Sequence, residues 1–279
     1  MVHTKKKKIF KKTFKKNKTK KIKKLSTDDS DKGIKDVPIS GRKLKGSLET
    51  LGKINYHYQK YDNTFQFFDK LLEKDKKLDR ILCIPSVGNS WMRSFLKVIL
   101  DDNKLSTSEL MVKNIEPVDP MVSVKKFNHM MRKCRKRFVA VSVQLIVHNK
   151  PGSHANMIIV DTKEKSVELF EPHGSRSSET TMDSLEGAYK ISDKLVKKYF
   201  HKYFPNYKYI SPRENLPTYG LQAKVDYYNG MCVTWCIMYL HYKILNPNKT
   251  QKDIIDKIKR KVDLPFLLKY AKYIEDMIK

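Results

Sequence analysis

The apolar residues of the chain follow two different periods, and the change of period predicts where strands and helices lie. Residues 138–147 (FVAVSVQLIV) are rich in β-branched side chains, which predicts a buried strand. Two more strands are predicted at residues 155–161 and 166–170, each preceded by a short polar turn. Because consecutive strands joined by short turns pair antiparallel, the pattern predicts a three-stranded meander.

Helical spacing of apolar residues dominates the remainder of the C-terminal half. The run CVTWCIMYLHYKIL is apolar on nearly every side, which predicts a buried helix. The loop before it is long, and long loops inside compact domains are usually functional. The elements predicted after the meander are a helix, a short strand, this loop, the buried helix and two amphipathic helices, over residues 184–204, 207–210, 211–230, 232–245, 250–261 and 265–278.

The N-terminal half predicts a tail followed by a helical region. Residues 48–100 carry apolar side chains at helical spacing, interrupted by a Pro/Gly loop, so a second helix is predicted over residues 91–99. Residues 1–46 are lysine-rich and have too few apolar side chains to fold alone. We therefore predict a disordered basic tail over residues 1–46, a helical N-terminal region over residues 47–130 and an α+β core with C-terminal helices over residues 131–279.

The net charge of +28 is extreme, and it is not confined to the tail. Residues 1–24 contain 13 Lys and no acidic residue, so residues 25–279 still carry +15. Such a surface attracts polyanions without reading their sequence, because lysine contacts to phosphates release counterions. Nucleic acid, bound through the lysine-rich tail, or an acidic protein is the expected partner. The alternative is that the tail only keeps the chain soluble.

Four cysteines, Cys83, Cys134, Cys232 and Cys236, are scattered along the chain. Neither a signal peptide nor an apolar run of membrane-spanning length accompanies them, so we expect no membrane partner and a reducing intracellular compartment. Cys232 and Cys236 have the spacing of half a metal site. No second Cys/His pair stands at ligand spacing, so structural zinc is not expected.

Cys232 is the candidate nucleophile, because it opens the predicted buried helix directly after Asn229, Gly230 and Met231. A thiol attacks carbonyl groups as the thiolate, which a helix N-terminus and a nearby histidine both stabilise. Backbone N–H groups at the same helix end would receive an oxyanion. Gly230 would let a substrate approach closely. Cys236 lies one turn further on and is expected in the core.

The candidate base is His154, at the beginning of the second strand of the meander. Glu171 ends the third strand, and in an antiparallel hairpin these two positions meet near the same edge. A carboxylate placed there would orient the imidazole through its far nitrogen. His148 and His173 are the alternative bases, each expected in an exposed loop. Asp161 is the alternative acid, but it lies at the opposite end of the hairpin from His154.

With His154, Glu171, Gln222 and Cys232 in this order, the chain resembles the ubiquitin-like-protein protease/adenoviral protease superfamily of papain-like cysteine peptidases. The segments SHANMIIVD, VELFEPHG and GMCVTWCIMYL resemble cysteine peptidases of large DNA viruses more closely still. The resemblance covers roughly residues 138–247. It implies a papain-like α+β fold, in which an antiparallel sheet packs on the central helix that carries Cys232.

The resemblance also implies a role for each of these residues. Cys232 would be the nucleophile, His154 the base, Glu171 its orienting acid and Gln222 the oxyanion-hole donor, with no metal or organic cofactor. Two features depart from the family pattern. The family usually has Asp where this chain has Glu171, and its Gln lies closer to the Cys than the ten positions that separate Gln222 from Cys232.

The expected activity is hydrolysis of peptide or isopeptide bonds in a protein substrate. The resemblance suggests processing of viral proteins or removal of a ubiquitin-like modifier, in the host cytoplasm or nucleus or in the virion. An acetyltransferase that uses a similar His, Glu, Cys order is one alternative. The other is a basic nucleic-acid-binding structural protein with a vestigial site, in which Cys232 would be an ordinary, unreactive thiol.

Overall fold

The computed structural model describes residues 33–39, 62–85, 95–101, 111–117, 122–147, 154–174, 183–217, 220–226 and 231–279. Within these residues the chain has an α+β fold, built on a seven-stranded sheet in the order β3-β2-β4-β5-β6-β7, with β1 also paired to β4. The strands are Leu82–Cys83 (β1), Phe95–Asp101 (β2), Met111–Pro117 (β3), Phe138–Val147 (β4), His154–Asp161 (β5), Ser166–Phe170 (β6) and Lys208–Ile210 (β7).

Helices cover both faces of this sheet. They are Asp62–Lys74 (α1), Lys76–Asp79 (α2), Val124–Lys133 (α3), Asp183–Tyr203 (α4), Pro212–Asn215 (α5), Leu221–Val225 (α6), Cys232–Leu245 (α7), Gln251–Lys261 (α8) and Leu264–Ile278 (α9). The helices predicted in the C-terminal half are all present. The segment predicted as one long loop before α7 contains the short helices α5 and α6, because Ser211 and Glu214 form a capping box that begins α5.

The predicted three-stranded meander is confirmed. Strands β4 and β5 pair antiparallel with Leu145 opposite His154, and β5 and β6 pair antiparallel with Met157 opposite Phe170. The sheet as a whole is mixed, since β2 pairs parallel to β4 and β7 pairs parallel to β6. Strand β1 also pairs parallel to β4, and each of these three parallel pairs is separated along the chain by a helix, which is the connection that parallel strands require. Helix α3 lies between β4 and its partners β1 and β2, and α4 lies between β6 and β7.

The helix predicted over residues 91–99 is wrong, because the described part of it belongs to strand β2. Strand β3 also lies within residues 47–130, the region predicted as helical. Short apolar runs such as FLKVIL do not distinguish a strand from a buried helix by their period. The partner strand β4 decides the outcome, and it places β2 and β3 in the same sheet as the meander.

Helix α7 is the centre of the main core, and every residue from Cys232 to Ile244 is buried. It packs against side chains of β5 and β6, where the Phe170 and Tyr239 rings stack 4.2 Å apart. Because successive strand residues point to opposite faces, the other face of the sheet forms a second core with α3 and α4. The predicted arrangement of a Cys-bearing helix on an antiparallel meander is thus present.

Residues 33–39 belong to the folded body, which corrects the predicted tail over residues 1–46. Ile34 and Val37 are buried, and the Lys35 backbone N–H donates to Asn246 Oδ1 at 2.6 Å. The Asn246 amide in turn donates to the Lys35 carbonyl at 2.9 Å. Two apolar side chains and this reciprocal pair of hydrogen bonds hold the segment on the end of α7. The remainder of the predicted tail lies outside the described residues.

The structure joins Cys83 and Cys134 in a disulfide, with their Cα atoms 5.9 Å apart. From the sequence we expected a reducing compartment, and no pairing was predicted for these two cysteines, which are 51 positions apart. They meet because β1 lies beside β4 and α3 ends just before β4. Cys232 and Cys236 are free and buried, as expected for Cys236. Among the described helices, none combines the length and apolarity that a membrane span requires.

Candidate active site

His154 and Glu171 meet at one end of the meander. His154 is the first residue of β5, Glu171 follows the last residue of β6, and the antiparallel register brings them to the same edge. His154 Nε2 lies 2.6 Å from Glu171 Oε1, and both side chains are buried. The predicted contact between the two side chains is therefore present, whereas their catalytic roles stay predictions.

The electrostatics of this pair favour a charged imidazole. Burial by itself lowers the pKa of His154, but the Glu171 carboxylate and hydrogen bonds to Cys232 and Glu171 outweigh burial and raise it to about 10. Burial likewise raises the pKa of Glu171, yet the His154 cation and its hydrogen bond hold that pKa below the ordinary value. Around neutral pH the site therefore contains an imidazolium bound to a carboxylate.

The Cys232 thiol completes the group. Cys232 is the first residue of α7, and its side chain lies close enough to His154 to be one of the causes of the raised histidine pKa. Because Glu171 occupies Nε2, Nδ1 is the ring nitrogen that remains for the thiol. Thiol, imidazole and carboxylate are thus grouped at the N-terminal end of a buried helix.

Asn156 supports the carboxylate, a role that the sequence analysis did not assign to it. Its side-chain Nδ2 donates to Glu171 Oε2 at 2.5 Å, and the backbone N–H of His173 donates to Oε1 at 2.8 Å. The signal in the sequence is the spacing, since Asn156 stands two positions after His154 and so shares its face of β5. Each oxygen of the Glu171 carboxylate therefore accepts a hydrogen bond that fixes its position, Oε2 from Asn156 and Oε1 from the His173 backbone.

The alternative site residues take other places. The His173 ring lies 4.8 Å from the His154 ring, and burial together with the His154 cation lowers the His173 pKa to about 4, so it stays neutral. His148 lies outside the described residues. Asp161, at the far end of β5, forms an ion pair of 3.2 Å with Arg137. Glu171, not Asp161, is the acid that contacts His154 in the structure.

Gln222 lies on the short helix α6, which is held against the turn that follows Glu171. Its backbone N–H donates to the Pro172 carbonyl at 3.0 Å, and the Gly220 N–H donates to the His173 carbonyl at 2.6 Å. Gly174, with φ of +102°, packs so closely on Gly220 that neither position has room for a Cβ atom. Gln222 is buried, and its side-chain Oε1 has no hydrogen-bond partner among the described residues. Its role in an oxyanion hole stays a prediction.

Asp226 is a buried carboxylate beside the start of α7 that the sequence analysis missed. Asp226 Oδ2 accepts from the Met231 backbone N–H at 2.9 Å, and Oδ1 accepts from the indole N–H of Trp235 at 2.7 Å. Burial raises the pKa of Asp226 to about 6, although both hydrogen bonds act to lower it. Gly230, predicted to let a substrate approach, lies outside the described residues.

Comparisons with known proteins give limited similarity. No protein-family model matches the chain. It is 27% identical over 144 residues to a protein of Acanthamoeba polyphaga mimivirus described as an ankyrin repeat protein, L371. That match covers 44% of this chain, and the chain spans only 18% of the length of that relative.

Two solved structures from Chlamydia trachomatis are similar to the chain. The effector protein ChlaDUB1 has a TM-score of 0.42 and 11% identity, and the match covers 82% of this chain and 88% of that one. The effector protein Cdu1, solved bound to ubiquitin, has a TM-score of 0.33 and 14% identity, over 55% of this chain and 65% of that one. Both similarities are too weak to assign a family or an activity.

Proposed function

We propose that this protein is a cysteine peptidase that hydrolyses peptide or isopeptide bonds of a protein substrate. The observation that carries the proposal is the hydrogen-bonded pair of His154 and Glu171, with the Cys232 side chain close enough to His154 to help raise its pKa. A protonated imidazole beside a thiol at a helix N-terminus is the environment that stabilises a thiolate nucleophile.

Each step of the reaction then has a group to perform it. The Cys232 thiolate attacks the substrate carbonyl carbon, and a C–S bond forms as the carbonyl oxygen becomes an oxyanion. Backbone N–H groups at the start of α7 and the Gln222 amide would donate to that oxyanion. The His154 imidazolium protonates the leaving amine as the C–N bond breaks. Neutral His154 then takes a proton from water as the water oxygen attacks the thioester carbonyl carbon. The C–S bond breaks, which regenerates the Cys232 thiolate and releases the acid product, and the acid ionises in solvent.

Glu171 serves the imidazolium rather than the substrate. It fixes the ring orientation through Nε2, and its charge stabilises the protonated form that the leaving amine needs. Asn156 and the His173 backbone N–H donate to the Glu171 carboxylate, so the His154 ring is bonded to a carboxylate whose own position is fixed. The longer Glu side chain thus performs here the task that the resemblance assigns to an Asp.

The first test is the rate of alkylation of Cys232 by dilute iodoacetamide as a function of pH, read by mass spectrometry. Cys236 is an internal control, because it is also free but its pKa is raised well above the ordinary value by burial. Fast labelling of Cys232 below about pH 8, lost in His154→Ala, supports the thiolate/imidazolium pair. Labelling of both cysteines at the same slow rate would favour a binding protein with a vestigial site.

Activity is tested on two kinds of substrate. Fluorogenic amides at the C-terminus of ubiquitin and of its relatives test removal of a modifier, and a library of unmodified proteins tests processing at internal peptide bonds. Cys232→Ala and His154→Ala should abolish cleavage of the true substrate class, whereas Cys236→Ala should retain it. Turnover of acetyl-CoA by the wild type, without cleavage of either class, would favour the acetyltransferase.

The lysine-rich tail supports a second element of the proposal, namely that nucleic acid tethers the enzyme near its substrate. Residues 1–24 carry 13 Lys and no acidic residue. Replacing these lysines by glutamine in the full chain should weaken DNA binding and reduce the dependence of affinity on salt concentration. An unchanged affinity with an unchanged salt slope would show that the tail does not bind nucleic acid.

A further inference from the structure

Asp226 connects the segment before α7 to the first turn of that helix. One carboxylate oxygen accepts from the backbone N–H of Met231, the residue just before Cys232, and the other accepts from the Trp235 indole. We propose that this two-sided clasp makes Asp226 a positioning residue, which fixes the first turn of α7 and so holds the Cys232 thiol against His154. The inference deepens the proposed function and rests on it for its catalytic consequence.

The start of α7 lacks an ordinary cap. The residue at the N-cap position is Met231, whose side chain makes no capping hydrogen bond, and the first turn contains no acidic residue. Unpaired N–H groups at a buried helix end are costly, and most helices satisfy them with a side chain at the N-cap. Asp226 supplies that acceptor from five positions upstream, so the backbone directly before Cys232 is held by a side chain outside the helix.

The second half of the clasp reaches one turn into α7. Trp235 stands three positions after Cys232, so the two side chains are neighbours on the helix surface. The indole is fully buried and its N–H is a donor only, so Asp226 Oδ1 is the acceptor that its burial requires. With Met231 on one side of Cys232 and Trp235 on the other, the carboxylate spans the backbone that carries the thiol.

The ionisation of Asp226 offers a test of whether this residue positions Cys232 or only packs in the core. Burial and the bonds to Trp235 and Met231 are the causes of its shifted pKa, and no charged group of the described chain is among them. That pKa, about 6, lies between those of the two site histidines, about 4 for His173 and about 10 for His154. Protonation of Asp226 replaces one of its acceptors by an O–H, so the clasp should open as the pH falls through about 6.

Two variants test the clasp in the full-length chain. Asp226→Asn keeps the size of the side chain but turns one oxygen into an N–H donor facing another donor. Trp235→Phe keeps a buried aromatic ring and removes only the indole N–H. In the wild type that hydrogen bond lowers the Asp226 pKa, so its removal should raise the pKa. The acid limb of the pH profile, the fall in kcat and in alkylation rate at low pH, should then move to higher pH. Tyr270→Phe is the matched control, since it removes a buried 3.0 Å hydrogen bond to His241, on another part of α7.

The readouts are the alkylation rate of Cys232, kcat and KM on the substrate found above, and the unfolding midpoint. We expect Asp226→Asn to lower kcat by about 100-fold with KM nearly unchanged, because small misplacements of a reacting group have effects of that size. Alkylation at neutral pH should slow in the same variant. Tyr270→Phe should lower the unfolding midpoint alone.

The outcomes separate this inference from the proposed function. If wild-type protein is active and both clasp variants keep its kcat, alkylation rate and acid limb, Asp226 is only a core group and the inference is wrong. If wild-type protein cleaves no substrate while Cys232 alkylation still depends on Asp226 and on Trp235, the clasp stands and the peptidase proposal fails. If Asp226→Asn does not fold, Trp235→Phe decides between the two roles: a shifted acid limb supports positioning by Asp226, and an unshifted one contradicts it.

Discussion

Replacing Glu171 by Gln removes a charge from the site while leaving the size of the side chain almost unchanged. Glu171 is the largest of the contributions that raise the pKa of His154 from 6.5 to about 10, against burial, which lowers it. This net rise corresponds to about 5 kcal/mol, since a tenfold change in a proton-binding constant is worth about 1.4 kcal/mol. In Glu171→Gln burial prevails, and His154 should be neutral at about pH 7.

The sign of the effect on stability follows from the direction of this shift. The folded pKa of His154 lies above the unfolded value, so its contribution is fully present below the unfolded pKa of about 6.5 and is lost as the pH rises through about 10. Glu171, whose folded pKa is lowered, contributes above its unfolded pKa of about 4.5 and loses that contribution in acid. Between these limits, Glu171→Gln should destabilise the protein most at about pH 6.

The assay is denaturant unfolding of wild type and Glu171→Gln at about pH 6, 8 and 10, with the difference in free energy compared across the series. Glu164→Gln is the matched control, because its carboxylate is mostly exposed at the other end of β5. Its effect should stay within about 1 kcal/mol at every pH. If the difference for Glu171→Gln does not shrink between about pH 6 and 10, the charged form of His154 is not what Glu171 stabilises.

The remaining predictions concern groups around the site and in the core. Asn156→Ala should lower the free energy of unfolding by about 1–3 kcal/mol, because a buried carboxylate oxygen loses its donor, and should slow alkylation of the Cys232 thiol. Lys243→Met breaks a buried 2.5 Å ion pair with Glu168, and the unpaired carboxylate should cost about 3–5 kcal/mol in denaturant unfolding. Reduction of the disulfide between Cys83 and Cys134, 51 positions apart, should lower stability by about 4 kcal/mol in the chain-entropy model, and unfolding with and without reductant measures it. Equal stability in the two redox states would mean that the bond does not constrain the unfolded chain.

The site could be predicted to the extent that its parts depend on local pattern. The meander follows from alternating and β-branched residues over a short stretch, and its turns are short enough to set the pairing. Once the pairing is known, the meeting of His154 and Glu171 follows from their positions at the strand ends. Cys232 was recognisable because the apolar run begins at that residue, and a helix N-terminus is where a reactive thiol would lie.

Asp226 and Asn156 illustrate what local pattern does not contain. Asp226 stands in the segment predicted as a loop before α7, and no spacing or motif around it distinguishes it from a solvated loop carboxylate. Its hydrogen bonds to Met231 and Trp235 arise only when the chain folds back on the start of the helix. Asn156 could be placed on the same face as His154, but its contact with Glu171 depends on the strand beside it.

Local pattern was enough to predict the meander, the buried Cys232 helix and the order of the site residues, because each depends on periodicity or on turns that act over a few residues. The tertiary structure alone decided that residues 95–101 and 111–117 are strands, that Cys83 meets Cys134, and that residues 33–39 are part of the body. The physical reason is that these features depend on partners distant along the chain. A short apolar run becomes a strand or a helix according to the elements it packs against, and those elements come together only when the chain folds.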